Sequence, residues 1–190
     1  VDKGDFTMVY GYPASTREYL PADMVELIAE DANPDKIKIR RIKLDIMGNS
    51  MAGDPAVRIK YASKYAGVAN YWKKWLGESK GLERFDAVEK KEAFELGFQS
   101  WANQKGEAYS GILPAYRELS LELAPVQSWV DNFSEAVWSL DIIRYAAGFR
   151  NLAAMKKPAA EEWQKEVDKL RDKQVDASQN LQISKRAHLI

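Results

Sequence analysis

From Pro21 almost to the C-terminus, apolar residues recur every three to four positions, the period of an α-helix. The clearest run is Val57, Tyr61, Tyr65, Val68, Trp72 and Trp75, which at about 100° per residue falls within one arc of a helix. Stripes of this kind must be covered by other helices, so the expected fold is mainly α, a multi-helix bundle. Asn33 before Pro34 and Asp35 reads as an N-cap with proline at the first helical position. The helix it would open carries Ile37, Ile42, Leu44, Ile46, Met47 and Met51 and stops around Gly53. Asp54-Pro55 repeats the signal and opens the helix with the aromatic stripe, which Gly77 and Gly81 are expected to weaken or break. Further helical stretches are expected near 82–104, 107–123, 126–154 and 159–175, with Pro114 kinking or interrupting the path. No fixed-period repeat is present, so a solenoid is not expected.

The first twenty residues differ. "GDFTMVYGYPASTREYL" sets Phe6, Met8 and Tyr10 on one side and Thr7 and Val9 on the other, then breaks at Gly11 and Pro13. That is a short strand and a turn. A lone strand has no partner for its backbone donors and acceptors, so the partner is expected outside this sequence. Residues 1–20 therefore form one unit, strand and turn, and residues 21–190 an α-helical domain.

"MGNSMAGDP", residues 47–55, places Ser50 among glycines, which raises the question of a serine nucleophile. Such a serine needs a base, a group that orients the base, and amides that hold an oxyanion. Ser50 falls near the C-terminal end of a helix and faces carbonyls. The one histidine, His188, stands almost at the end of the chain with no neighbouring triad signal. Ser50 is read as a small polar residue where two helices turn. His188 alone does not make a metal site, because such sites need several convergent ligands. The acidic residues alternate with lysines, as in Glu161-Glu162 and Lys165-Glu166, the pattern of solvated helix faces. No Gly-rich phosphate loop is present, because Gly48 to Gly53 lacks the lysine and the strand-to-helix context. No catalytic residue, metal or cofactor is expected in this chain.

Composition narrows the partners. Lys and Arg number 28 and Asp and Glu 28, so the basic excess that general nucleic-acid affinity requires is lacking. Cysteine is absent, which removes disulfides and thiolate metal sites. No stretch reaches the apolar length of a membrane span, and no signal peptide stands at Val1, so the chain is read as cytoplasmic, mature or cut from something larger. The 6 Trp and 9 Tyr fall at helical spacing and are read as core before they are read as a ligand-stacking surface.

Two stretches resemble a known family. "FTMVYGYPASTREYL" resembles the segment by which the barrel of a bacterial serine dipeptidyl peptidase enters its inserted helical domain. "DPAVRIKYASKYAGVANYWKKWLG", residues 54–77, resembles a helix of that domain more strongly, and "GLERFDAVEKKEA" continues the likeness to about Ala93. The family is that of dipeptidyl-peptidases 7 and 11, serine peptidase family forty-six. The turn "PASTREY" departs from it, since members more often carry a Gly-Arg pair after the proline.

The resemblance implies a parent with a chymotrypsin-like double β-barrel that carries the triad and releases dipeptides from free peptide N-termini. It implies a periplasmic or cell-surface location and allows a homodimer of the parent. On this reading residues 1–20 belong to the missing barrel, and the helical domain caps the active-site cleft. The partners are then the remainder of the parent chain and the peptide substrate, with no nucleic acid and no membrane span. Asn70 points away from the aromatic stripe on the side of Ser63, Ala66 and Gly67, small residues that let another backbone or a peptide approach. The resemblance implies that an asparagine there holds the substrate's N-terminal ammonium through its side-chain oxygen. Without the resemblance, Asn70 reads as bonded to an adjacent helix or to water. The chain then reads as a free-standing helical protein-interaction module with aromatic stripes for a partner, or as a helical bundle that binds a small molecule.

Because covalent chemistry cannot be replaced by positioning alone, this chain by itself is expected to release no dipeptide from chromogenic dipeptidyl substrates. Turnover that Ser50→Ala abolishes would reverse the reading of residues 47–55.

Overall fold

Asp54 lies between two long helices and sets the first corner of the structure. Its backbone is extended, at φ −147° and ψ 114°, and its carboxylate accepts hydrogen bonds from the amides of Ala56, at 2.8 Å, and Val57, at 3.4 Å. These are two of the amides that a helix start leaves without a partner, and Pro55 at the first position has none to satisfy. The sequence-derived start at Asp54-Pro55 therefore stands.

The computed structural model describes residues 2–8, 10–11, 17, 19–155 and 159–187. Along the chain run α1 (Ala22–Glu26), a π-helical segment (Leu27–Ala32), α2 (Asn33–Gly53), α3 (Pro55–Arg84), α4 (Ala87–Lys105) and α5 (Glu107–Ser110). There follow α6 (Ile112–Asn132), a second π-helical segment (Phe133–Trp138), α7 (Asp141–Ala154) and α8 (Ala160–Ala187). The mainly α fold expected from the periodicity is the one observed.

Asn33 is not a cap. Ala32 and Asn33 are both right-handed helical, and the chain passes from α1 through the π segment into α2 without a break. Among the described residues Asn33 is the most buried large side chain, 1 % exposed, and its Nδ2 donates to Glu78 of α3 at 3.1 Å. A proline inside a helix removes one amide and crowds the carbonyl four residues back, and the wider π turn just before Pro34 accommodates both.

Gly77 and Gly81 do not break α3, which continues to Arg84. A helical glycine costs about 1 kcal/mol against alanine, too little to end a helix that lies along a neighbour. The turn comes at Phe85 and Asp86, where Asp86 takes a left-handed conformation at φ 47° that a short polar side chain tolerates. The path breaks next at Gly106, whose φ of 100° suits only glycine, and at Gly111. Pro114 falls in the first turn of α6, and Pro125 lies inside that helix.

The expected strand is not formed among the described N-terminal residues. Residues 3–4 turn, 5–8 have no ladder partner, and Phe6, Met8 and Tyr10 are 89 %, 73 % and 97 % exposed. A strand exists through its partner's hydrogen bonds, and the described residues supply none. Val9 and residues 12–16 and 18 of the strand and turn lie outside the described residues, as does His188.

Helices α2 and α3 form an antiparallel hairpin. Contacts pair Asn33 with Glu78, Arg40 with Tyr71 and Gly48 with Tyr65, the numbers falling on one side as they rise on the other. Of the aromatic stripe, Val57 is buried, whereas Tyr61, Tyr65, Val68, Trp72 and Trp75 are half-buried. The expectation of full burial is met only at Val57, because α2 turns cationic side chains as well as aliphatic ones towards the stripe. Elsewhere Glu95 of α4 accepts from the first amide of α1 at 2.7 Å, which serves as an N-cap supplied by another helix. Helices α7 and α8 meet closely at Gly148, where a Cβ would stand 2.5 Å from Leu170 Cδ2.

Asp54→Ala leaves the first amides of α3 without their acceptor and is expected to lower stability by about 1 kcal/mol. The check is a shift of the urea midpoint with an unchanged m-value.

Candidate functional site

Helix α3 carries the candidate site on its outer face. Ser63, Ala66, Gly67 and Asn70 are all exposed, while the stripe on the opposite side is covered by α2. The separation of faces read from the sequence is therefore the one the fold presents. A Cβ at Gly67 would meet nothing within 4 Å, so the surface there is open to an approaching chain. One turn further on stand Lys73 and Lys74, both exposed.

What holds this face in place lies beneath it. Arg40 of α2 grips Glu135 of the second π segment through Nε at 2.9 Å and Nη2 at 2.7 Å, a bidentate fork. Its Nη1 donates to the Val68 carbonyl of α3 at 3.3 Å. The guanidinium also lies over the rings of Trp75, at 4.6 Å, and Tyr71, at 5.1 Å. Lys43 donates to the Glu135 carbonyl and, at 2.8 Å, to Ser139 Oγ. Burial lowers the Lys43 ammonium from its ordinary range, and the neighbouring Glu135 opposes that shift. Lys36 lies over Trp75 at 5.1 Å and faces Asp131 at 3.2 Å as an ion pair without hydrogen-bond geometry at Oδ2.

A second polar group ties the other end of α3 to α7. Asp141, in the first turn of α7, accepts from Lys64 and from Arg144. Burial by itself would raise its carboxyl, but these cations outweigh burial and hold it below its ordinary value. Burial, and then the Asp141 charge, push the Tyr61 hydroxyl upward.

Neither cluster was foreseen from the sequence. Lys36, Arg40 and Lys43 recur at i, i+4 and i+7, and Asp131 and Glu135 at i and i+4, so two complementary one-face patterns were present to be matched. Ser50 donates to the Ile46 carbonyl at 3.0 Å inside α2, the bond of a helical serine near a C-terminus. Among the described residues no three His, Cys, Asp or Glu side chains converge as metal ligands, and no helix is long and apolar enough to cross a membrane.

Helices α2 and α3 thus form an aromatic-striped hairpin whose outer face carries small residues. Its kinship is specific. The profile of the peptidase S46 family matches residues 1–188, and the chain belongs to that family. It is 45% identical over 139 residues to an Asp/Glu-specific dipeptidyl-peptidase of Flavobacterium psychrophilum, covering 72% of this chain and 20% of that protein. It is 37% identical to an Asp/Glu-specific dipeptidyl-peptidase of Capnocytophaga gingivalis, over 93% of this chain and 27% of the relative. With dipeptidyl-peptidase 7 of Porphyromonas endodontalis it shares 37% identity over 76% of this chain and 18% of the relative. The chain thus spans between 18% and 27% of the length of these relatives.

The Asp141 group makes a prediction about acid. Its folded carboxyl titrates below its ordinary value of 3.8, so between the two values the unfolded chain binds more protons. The stability it contributes is present above the ordinary value and is lost as pH falls through the folded one. Unfolding midpoints are expected to drop on acidification through that window, and Asp141→Asn is expected to flatten this part of the profile.

Proposed function

We propose that this chain is the helical cap domain of a dipeptidyl peptidase that releases dipeptides from free peptide N-termini. The observation that carries the reading is family membership along the whole chain, joined to relatives named as dipeptidyl-peptidases of which it matches only a minor part. The catalytic serine, its histidine and its aspartate then belong to a chymotrypsin-like barrel elsewhere in the parent polypeptide. Residues 1–20, which form no strand among the described residues, are the segment by which that barrel joins the helices, and they pair with it there. The solvent-exposed Phe6, Met8 and Tyr10 support this, since their partner surface is not among these helices. The relatives carry two different names, Asp/Glu-specific dipeptidyl-peptidase and dipeptidyl-peptidase 7, and what they share is dipeptide release. Such a parent acts on extracytoplasmic peptides, in the periplasm or at the cell surface.

In the cap, Asn70 is the residue that meets the substrate. Its exposure on the open face of α3, among Ser63, Ala66 and Gly67, leaves room for a peptide N-terminus. The amide oxygen accepts a hydrogen bond from the ammonium, which fixes where the peptide begins and limits cleavage to two residues in. In the full-length peptidase, Asn70→Ala is expected to lower kcat/KM for dipeptidyl substrates about tenfold to a hundredfold, the cost of one charge-assisted bond. Circular dichroism should show folding unchanged, since the side chain is exposed. Unchanged kinetics would reduce the domain to a steric cap.

A further inference from the structure

Among the described residues no carboxylate stands with Ser63, Ala66, Gly67 and Asn70 on this face of α3, so the place of Asn70 depends on how α3 lies on α2. One residue governs that contact on both sides of Asn70. Arg40 Nη1 bonds the Val68 carbonyl, two residues before Asn70, and its guanidinium lies over the ring of Tyr71, the residue after it. A mid-helix carbonyl already accepts the amide four residues on, so a second donor on its free lone pair fixes the tilt of that peptide unit. The same guanidinium is held from behind by the two oxygens of Glu135, and the two side chains are only 16% and 12% exposed. A fork tied at the back, stacked at the front and bonded to one carbonyl has little freedom to slide.

We propose that Arg40 is a positioning residue for Asn70, and that Glu135 holds Arg40 for this role. The proposal rests on the reading of Asn70 given above. A helix shifted by one residue moves 1.5 Å along its axis and turns about 100°, so even a fraction of such a slip takes the amide oxygen out of reach of a bound ammonium. Lysine keeps the charge of arginine. It cannot grip both oxygens of Glu135 while it also reaches Val68 and covers Tyr71 and Trp75.

Two measurements test this. In the present chain, Arg40→Lys is expected to speed amide hydrogen exchange about tenfold at residues 70–74 and to leave α4 unchanged. Unaltered exchange at 70–74, or a uniform rise along the chain, would overturn the proposal. In the full-length peptidase, the Arg40→Lys and Asn70→Ala variants and the double variant form a cycle read with a chromogenic dipeptidyl substrate. Arg40→Lys should lower kcat/KM about fivefold, mainly through KM, and less than about twofold once Asn70 is already alanine. Glu135→Gln should behave like Arg40→Lys, which covers the case of a poorly folding arginine variant. A merely structural role would lower activity equally in both backgrounds, and that additive outcome would overturn the proposal while leaving Asn70 in the site. If Asn70→Ala alone has no effect, the reading of Asn70 fails and the positioning role falls with it.

Discussion

The bidentate contact between Arg40 and Glu135 joins three elements of the fold. Arg40 belongs to α2, Glu135 to the second π segment, and the rings under the guanidinium to α3. Taking such a pair out of water is costly, and the cost is repaid only when geometry is good and the remaining hydrogen-bonding capacity is used. Here the fork meets both oxygens, a third nitrogen finds a carbonyl, and the flat face rests on Trp75. Lys43 adds a further donor to the same π segment. Loss of Glu135 would leave Arg40 partly buried without its counter-charge, and loss of Arg40 would leave Glu135 with only the longer Lys43 pair, at 3.4 Å. The half-buried state of the aromatic stripe follows from this, because the stripe packs beneath cations whose heads must stay hydrogen-bonded.

This way of joining helices goes with a thin core. Among the described residues the buried apolar ones are Ala22, Val25, Leu27, Ala32, Leu44, Val57, Ala102 and Leu170, none larger than leucine. Large apolar side chains on α6 and the following segment stand in solvent, with Trp129 66 % exposed and Trp129 stacked on Phe133 at 5.2 Å. Exposed apolar area of that kind is usual where a surface meets something else. Polar ties such as Glu95 on the first amide of α1 and Asn33 on Glu78 then carry much of the specificity of helix placement.

Membership of the peptidase S46 family gives this architecture a setting. A helical hairpin suits the task proposed for it, because a side chain on a rigid helix is placed more precisely than one on a loop. The stripe side supplies rigidity and the opposite side supplies access. Both properties come from one helix read at two phases of its 3.6-residue turn.

Local chemistry made part of this legible in advance. Helical period, the Asp54 cap and the outward phase of Asn70 depend on residues within a few positions of one another, and all three hold in the fold. The same locality misled at Asn33, whose capping signature was overridden by burial against Glu78 and by a π turn, and at Gly77 and Gly81, whose small propensity cost did not end α3. The N-terminal alternation signals a strand, yet a strand is a relation between two segments, and none forms among the described residues. The tertiary structure alone decided which charges meet. Arg40 and Glu135 are 95 residues apart, and their pairing depends on the trajectory of every helix between them. Periodicity can say which face of a helix is covered; only the assembled helices determine what covers it, because that choice is made by shape and charge at distances the sequence does not encode locally.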